Sequence, residues 1–385
     1  MHIAVVSGET SGDQLGGGIL RALRERIPEL KVSGVGGTQM QAAGLDSLYT
    51  MDDISLMGVD GFMRKIRRAL SIRKALYHRF ISDPPDIFLG IDIPDFNLAL
   101  EGRLRRSGIP AVHLVSPTVW AWRSYRIHRI RRAVDHMLVL FPFEEAYFRE
   151  RGVPATFVGH PAADEIQEVD RDAAKQQLSN MGVCASGEIV ALLPGSRVSE
   201  IRHLAPVFIE TATLLTRVRP GIQFVVPYAN WEVADQFEKI CPSGNRPENI
   251  QCIQGNARLA MAGSDLVLLA SGTAALEAAL LARSMVVAYK VSVLSYALAK
   301  MFARVKHVSM PNHLTETPMV PEYLQGRAKP RVLTQEMDRL LSDISTRTKI
   351  EDSFRSLSKI FNFNCPLDSM STNNSGNPGQ FIIII

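Results

Sequence analysis

Cysteine is scarce in this chain of 385 residues, which contains four copies of it. No two of them form a CxxC pair, and their spacing does not match the ligands of a zinc site. The sequence therefore excludes a disulfide-rich secreted domain, and we expect reduced thiols of the cytosol. The four positions are Cys184, Cys241, Cys252 and Cys365.

Long apolar runs are also missing. A membrane-spanning helix needs about 20 consecutive, mainly apolar residues, and no segment approaches that length. The apolar start His2–Ser7 is too short for a signal peptide and is typical of a strand. We therefore expect a protein that is made and kept in the cytoplasm.

The chain as a whole lacks a strong charge of either sign. Its formal net charge is +4 at pH 7, which by itself does not indicate a nucleic-acid partner. Hydrophobic residues make up 46% and charged residues 21% of the sequence, as in globular proteins. A chain of this length suits two domains.

Short apolar strands alternate with helical segments in two series, the second of which begins near Gly187. This alternation predicts parallel sheets with helices on both faces. The expected fold class is α/β, with two Rossmann-like, doubly wound domains that face each other across a cleft. We expect these domains over residues 1–165 and 185–340, with ligands at the carboxyl ends of the strands.

One strand-turn-helix segment of the second domain has the pattern of a phosphate site. The strand Leu266–Ala270 enters the turn Ser271-Gly272-Thr273, and a helical stretch follows with one acid, Glu277. The free N–H groups of a helix start attract anions, and Glu277 lies one turn beyond Thr273. This arrangement suits a nucleoside diphosphate, although an ordinary strand-turn-helix unit is the alternative.

A second strand end of that domain, Leu192–Arg197 (LLPGSR), places an arginine after a Pro-Gly turn. The planar guanidinium of Arg197 can bind two oxygens at once, which suits a diphosphate. The alternative is a surface turn with a solvated arginine. Because both motifs lie at strand ends of one domain, together they favour a diphosphate site.

The first domain offers two carboxylates at a strand end, in Gly90–Asn97 (GIDIPDFN). Asp92 and Asp95 flank a proline where the strand exits toward the expected cleft. A carboxylate there can serve as a general base if its pKa suits the task. The alternative is that Asp95 only caps the helix that begins near Phe96.

Two further segments of the first domain could line the cleft. Ser7–Asp13 (SGETSGD) follows the first strand but matches neither GxGxxG nor the P-loop pattern. Val115–Trp122 (VSPTVWAW) places two tryptophans two positions apart, which core packing would also explain. The cleft candidates from these segments are Glu9, Ser11, Asp13, Trp120 and Trp122.

Acidic residues are absent from Gly61–Phe80, which carries seven lysines and arginines. Apolar and aromatic residues recur there at near-helical spacing, so the segment predicts a basic amphipathic helix that binds an anionic membrane surface. A solvated helix face or a nucleic-acid contact are the alternatives, but other signals of nucleic-acid modules are absent and we expect no such partner. The membrane candidates are Phe62, Ile66, Arg67, Arg68 and Leu70.

Seven motifs in order resemble the lipid-A-disaccharide synthase family. They are SGETSGD, GIDIPDFN, SPTVWAW, VGHP, LLPGSR, ASGTAALEAAL and PNHL…PEYLQ. The resemblance implies the GT-B glycosyltransferase fold, with a C-terminal helix over 341–365 that returns to the first domain. Residues 366–385 are rich in Ser, Asn, Pro and Gly, and this composition predicts a disordered tail. Such a tail departs from the helical C-terminus that is usual in the family.

The resemblance also implies an activity. Family members join UDP-2,3-diacylglucosamine to 2,3-diacylglucosamine 1-phosphate (lipid X) and form a β-1,6-linked disaccharide 1-phosphate and UDP. They invert the anomeric centre, use no metal or other cofactor, and act peripherally at the cytoplasmic face of the inner membrane. A homodimer is a further, open expectation.

Residue roles follow from the matching motifs. Asp95 is the expected base for the acceptor's 6-hydroxyl, and Asp92 is its expected support. The cleft candidates Glu9, Ser11, Asp13, Trp120 and Trp122 are expected either to contact the acceptor or only to line the cleft. The expected UDP-binding residues are Arg197, Ser271, Gly272, Thr273, Glu277 and Asn312.

Two other functions fit parts of the sequence. A nonhydrolysing UDP-N-acetylglucosamine 2-epimerase shares the two-domain architecture but has no need for the basic segment Gly61–Phe80. A non-catalytic, membrane-associated nucleotide-sugar binder would keep the UDP site without a base.

Overall fold

The computed structural model describes residues 1–55, 62–166, 169–184, 187–291, 307–315 and 317–361. This part of the chain forms two compact units, of which the first runs from Met1 to Gly159 and the second begins at His160. Each unit is built on one parallel sheet with intervening helices, so the predicted α/β class is confirmed.

The first sheet has seven parallel strands in the order β3-β2-β1-β4-β5-β6-β7. The order reverses beside β1, whose two neighbours are β2 and β4, and ligands bind at such a switch point in doubly wound sheets. The strands are β1 (His2–Ser7), β2 (Lys31–Val35), β3 (Asp46–Tyr49), β4 (Ile87–Ile91), β5 (Ala111–Leu114), β6 (His136–Val139) and β7 (Ala155–Phe157).

Helices cover both faces of this sheet because alternate residues of each strand point to opposite sides. Val5 packs with Leu20 on one face, whereas Val6 packs with Phe80 on the other. The helices are α1 (Thr10–Arg26), α2 (Thr38–Ala42), α3 (Phe62–Ser82), α4 (Pro94–Arg106), α5 (Ile127–Ala133) and α6 (Pro142–Arg149). Thus α1 lies on one face, and α3 lies on the opposite face.

The second sheet has six parallel strands in the order β10-β9-β8-β11-β12-β13. Its switch point lies between β8 and β11, which pair with each other. The strands are β8 (Ile189–Leu193), β9 (Gln223–Tyr228), β10 (Ile250–Gln254), β11 (Leu266–Ala270), β12 (Met285–Tyr289) and β13 (Glu322–Leu324).

The helices of the second unit include the last described element of the chain, α15. They are α7 (Pro161–Glu165), α8 (Arg171–Asn180), α9 (Val198–Val218), α10 (Trp231–Ile240), α11 (Ala257–Ala262), α12 (Thr273–Leu280), α13 (Pro311–Leu314), α14 (Pro330–Ser342) and α15 (Ile344–Phe361). Helix α15 packs against α12 and α14, and its return to the first domain stays a prediction. The predicted tail, 366–385, lies outside the described residues.

Candidate active site

The turn after β4 has an unusual backbone conformation. Asp92 and Ile93 have φ angles of 53° and 37°, in the left-handed region that a β-branched residue rarely adopts. The buried side chain of Asn97 holds this turn. Its amide nitrogen lies 3.1 Å from the carbonyl oxygen of Val6 and 2.9 Å from that of Asp92. One amide therefore ties the exit of β4 to β1.

Asp92 is partly buried beside this turn. Its Oδ1 accepts a hydrogen bond from the Ile93 amide at 2.8 Å. Burial raises the pKa of Asp92, although the Ile93 amide and nearby His113 oppose the effect. Asp92 therefore retains its proton to a higher pH than a solvated aspartate does.

A fully buried pair lies behind the same strand. The Nδ1 atom of His113 lies 2.7 Å from Oε1 of Glu101, and burial raises the pKa of Glu101. Gly90 makes room for this pair, because a Cβ at that position would lie 2.1 Å from Glu101 Oε1. Sequence reasoning missed this pair.

Asp95 occupies the first turn of α4, and its side chain is 69% exposed. Its carboxylate accepts a hydrogen bond from the guanidinium of Arg126. The N-cap of α4 is Ile93, and Pro94 follows it. The alternative in which Asp95 caps this helix is therefore wrong, and its carboxylate faces solvent beside a cation.

The SGETSGD segment is a helix start rather than a phosphate-cradling loop, since α1 begins at Thr10. Asp13 is buried, so its carboxylate supports the chain instead of facing a ligand. Glu9 is half-buried, and Ser11 is exposed. Asp13 accepts hydrogen bonds from the backbone of Gly37 at 2.8 Å, Gln39 at 3.0 Å and Met40 at 3.1 Å.

The two tryptophans after β5 have different surroundings. Trp120 is half-buried and donates from Nε1 to Oε1 of Glu144 at 3.0 Å. That oxygen also accepts from the Ser116 hydroxyl at 2.6 Å. Trp122 is 41% exposed, and the Arg123 guanidinium lies 4.1 Å from the centroid of its ring. Core packing alone therefore explains neither the hydrogen bond of Trp120 nor the exposure of Trp122.

Glu144 is a residue that sequence reasoning missed. It lies in the first turn of α6, the helix that follows strand β6. Asp95 has the corresponding position in α4, the helix that follows strand β4. Burial raises the pKa of Glu144 to about 7, although its hydrogen-bond donors oppose the effect. Glu144 fixes the orientation of Trp120 at the edge of the first sheet.

In the second unit, the two predicted phosphate motifs follow neighbouring strands, β8 and β11. Helix α12 begins at Thr273, and its N-cap residue, Gly272, provides no side-chain cap. Within the described residues, no side chain caps the N–H groups of Thr273 and Ala274, which suits an anion at this helix start. The Ser271 hydroxyl donates to the carbonyl oxygen of Val308 at 2.9 Å.

Arg197 and Glu277 differ in how their side chains are engaged. The Arg197 side chain is exposed and forms no ion pair within the described residues. The backbone amides of Ser196 and Arg197 donate to Glu200 at 2.9 and 3.3 Å. Since Glu200 occupies the start of α9, a phosphate would contact the Arg197 guanidinium rather than that helix terminus. Oε1 of Glu277 accepts from Arg258 at 3.0 Å.

Asn312 is buried, and both polar atoms of its side chain are engaged. Its nitrogen donates to Glu322 at 2.7 Å and to the carbonyl of Val320 at 2.9 Å. Its oxygen accepts from the amides of Met319 and Val320, each at 2.9 Å. This side chain therefore holds the entry to β13.

Glu322 extends this network toward the turn Ser271-Gly272-Thr273, called the phosphate turn below. Its second oxygen accepts from the Val308 amide at 2.8 Å, and the carbonyl of Val308 accepts from Ser271. Asn312 and Ser271 are therefore linked through two residues. The motif PEYLQ contains Glu322, but no local pattern in the sequence predicts this role.

Helix α3 is amphipathic, as predicted. Its buried side includes Ile72, Leu76 and Phe80, whereas Leu70 is 47% exposed. Arg67 and Arg68 are exposed and Ile66 is half-buried, while the side chain of Phe62 lies outside the described residues. No helix in the described ranges is long and apolar enough to cross a membrane.

Metal-binding residues are not clustered in the part of the chain that the structure describes. No group of three or more His, Cys, Asp or Glu side chains is placed there to hold an ion. The cations near the candidate residues are arginines.

Solved structures with the same architecture include a glycosyltransferase and an epimerase. A glycosyltransferase from Rickettsia africae superposes with a TM-score of 0.58 at 11% identity, covering 93% of both chains. UDP-GlcNAc 2-epimerase from Neisseria meningitidis, bound to UDP-GlcNAc, also gives a TM-score of 0.58, at 12% identity, and covers 94% of this chain and 98% of that one. At such low identity these similarities establish the fold alone, which is that of GT-B glycosyltransferases.

Sequence relatives are much closer. The lipid-A-disaccharide synthase of Aromatoleum aromaticum is 46% identical over 358 residues, which covers 92% of this chain and 91% of that protein. The lipid-A-disaccharide synthase of Pseudomonas paraeruginosa is 44% identical and covers 92% of this chain and 93% of that protein. The profile of the lipid-A-disaccharide synthetase family matches residues 3–368. This chain therefore belongs to the lipid-A-disaccharide synthetase family.

Proposed function

We propose that this protein transfers 2,3-diacylglucosamine from its UDP derivative to 2,3-diacylglucosamine 1-phosphate, giving a disaccharide 1-phosphate and UDP. Membership of the lipid-A-disaccharide synthetase family supports this reaction. The structural observation that carries the proposal is the exposed carboxylate of Asp95 at a sheet switch point, next to the strained turn at Asp92. A solvent-facing carboxylate there can accept a proton from an incoming hydroxyl.

Asp95 is the proposed general base. It takes the proton from the acceptor's 6-hydroxyl as that oxygen attacks the anomeric carbon of the donor. The bond from this carbon to the UDP oxygen breaks, and its electron pair leaves with UDP. Attack opposite to the leaving group inverts the anomeric centre and gives the β linkage. Arg126 orients the carboxylate of Asp95 by donating a hydrogen bond to it, whereas Asp92 supports the turn.

The donor's diphosphate has a separate proposed site in the second unit. The free N–H groups at the start of α12 and the guanidinium of Arg197 would stabilise the negative charge that grows on the leaving UDP. One preorganised donor of this kind is typically worth about 3–4 kcal/mol of transition-state stabilisation. Arg258 orients the carboxylate of Glu277. This carboxylate is proposed to accept hydrogen bonds from the ribose hydroxyls of UDP.

Asn312 acts, in this proposal, as a positioning residue. Its hydrogen bonds leave no polar side-chain atom for UDP, but they fix Glu322 and thereby Val308 and Ser271. Loss of Asn312 would loosen the phosphate turn without removing a direct contact.

The acylated substrates reside in a membrane, and α3 supplies a surface for it. We propose that its exposed basic face and Leu70 bind the anionic cytoplasmic leaflet of the inner membrane. The protein would then act peripherally, and a homodimer stays a prediction.

The first prediction concerns proton transfer. Asp95→Asn preserves the size of the side chain but cannot accept a proton, so disaccharide formation should fall at least about a hundredfold. UDP affinity, measured by calorimetry, should not change. Asp46→Asn, an exposed substitution in the same unit, is the control, and unchanged turnover in Asp95→Asn would refute the role of Asp95.

The second prediction separates a scaffold from a ligand. Asn312→Ala removes one hydrogen-bond donor from Glu322 and the acceptor of two backbone amides, so the free energy of unfolding should fall by about 2–4 kcal/mol. UDP affinity should weaken in the same variant. Denaturant titration and UDP calorimetry are compared with those of the exposed control Asn245→Ala. Weaker UDP binding at undiminished stability would instead indicate direct contact between Asn312 and UDP.

The third prediction concerns the membrane. Arg64 and Arg67 are exposed on α3, and each should contribute about 1 kcal/mol at an anionic surface. The double substitution to Gln should weaken binding to phosphatidylglycerol vesicles about thirtyfold and leave neutral vesicles unaffected. The control removes Arg21 and Arg26 from α1, on the opposite face of the sheet. Equal losses in both variants would argue against α3 as the membrane surface.

A further inference from the structure

An open groove of about 900 Å³ lies within the first unit, between α4 and the segment 123–133. Seven arginines and one histidine line it, against a single acid, Asp95. Most of these cations take no part in the proton transfer proposed for Asp95. The composition of the lining indicates an anionic ligand.

Much of this charge has no counter-ion among the residues that the structure describes. Arg105 pairs with Asp135, and Arg126 pairs with Asp95. Arg106, Arg129 and Arg132 are exposed and form no ion pair within the described residues. These three side chains are therefore available to a ligand without breaking an existing contact.

The crowding of cations extends to the neighbouring helix. Arg73 of α3 donates to the carbonyl oxygen of Asp95 at 3.4 Å. Burial, together with the charges of Arg129 and Arg103, lowers the pKa of the Arg73 guanidinium. An anion bound near Arg129 would relieve this repulsion.

The groove lies on the face of the unit that carries α3. Helix α3 packs against α4, and α4 packs against α5. A phosphate that arrives on a lipid held at α3 would therefore meet the groove next. Guanidinium groups bind phosphate through paired hydrogen bonds, which suits a terminal phosphate monoester.

The chemistry of the proposed acceptor connects this groove to Asp95. In a glucosamine 1-phosphate, the phosphate is attached at C1 and the 6-hydroxymethyl group at C5, and both carbons flank the ring oxygen. An acceptor whose 6-hydroxyl faces Asp95 therefore carries its phosphate a short distance from the same carboxylate. The groove that Asp95 lines is within that reach.

We propose that Arg106, Arg129 and Arg132 bind the phosphate monoester of the acceptor sugar while its 6-hydroxyl faces Asp95. This assignment rests on the proposed function. A phospholipid headgroup could bring a similar phosphate to the groove, and the experiment distinguishes the two sources.

The test compares Arg129→Gln/Arg132→Gln with the wild type in neutral detergent, using two acceptors. One is 2,3-diacylglucosamine 1-phosphate, and the other is 2,3-diacylglucosamine without the phosphate. The double variant should lose about ten- to hundredfold in kcat/KM for the phosphorylated acceptor. Its kcat/KM for the second acceptor and its KM for the UDP-sugar should match those of the wild type. Arg21→Gln/Arg26→Gln is the matched control for the loss of two charges and should behave as the wild type.

The outcomes separate the claims. If the variant retains the wild-type preference for the phosphorylated acceptor, the groove does not bind that phosphate. If that preference is retained while binding to phosphatidylglycerol vesicles falls, the groove serves a phospholipid headgroup and the proposal is overturned. If the wild-type enzyme forms no disaccharide from either acceptor, the proposed function itself fails.

Discussion

The side-chain amide of Asn97 holds the turn on which the first unit's candidate site depends. By donating to carbonyl oxygens of Val6 and Asp92, it ties the exit of β4 to the adjacent strand β1. Without such a restraint, two consecutive residues with positive φ would relax, because each costs about 1–3 kcal/mol. The strained turn directs Asp92 inward and starts α4 so that Asp95 points toward solvent. The buried amide of Asn97 thus accounts for the different exposure of the two carboxylates, with Asp92 partly buried and Asp95 exposed.

The second unit uses buried hydrogen bonds in a comparable way. Asn312 fixes Glu322, and Glu322 holds the segment whose carbonyl oxygen receives the Ser271 hydroxyl. The groups offered to a diphosphate are then the free N–H groups of α12 and the exposed guanidinium of Arg197. In both units, polar side chains away from the ligand hold the strand ends in place. Asp95 and Arg197, which are proposed to act on the substrates, are left exposed.

Much of the architecture could be predicted from the sequence, because buried parallel strands appear as short apolar runs with turns at their ends. The strand ends at Asp92, Arg197 and Ser271 were located in this way, and so was the amphipathic helix α3. Contacts between distant segments could not be predicted. Asp13 reaches the start of α2, about two dozen positions away, and nothing local distinguishes it from a ligand-facing acid. The buried roles of Asn312 and Glu144 likewise depend on partners that only the folded chain brings together.

The fold itself is shared with enzymes of a different reaction, since a UDP-GlcNAc 2-epimerase superposes as well as a glycosyltransferase does. The basic helix α3 and the arginine-lined groove beside Asp95 suit a lipid-borne, phosphorylated acceptor, which an epimerase does not need. The most direct measurement is incubation of the purified protein with UDP-2,3-diacylglucosamine, with and without 2,3-diacylglucosamine 1-phosphate, following UDP release and products by mass spectrometry. Our account predicts that UDP is released only when the acceptor is present, in equal amount to the disaccharide 1-phosphate. Consumption of the UDP-sugar without the acceptor, or formation of its 2-epimer without any disaccharide, would contradict it.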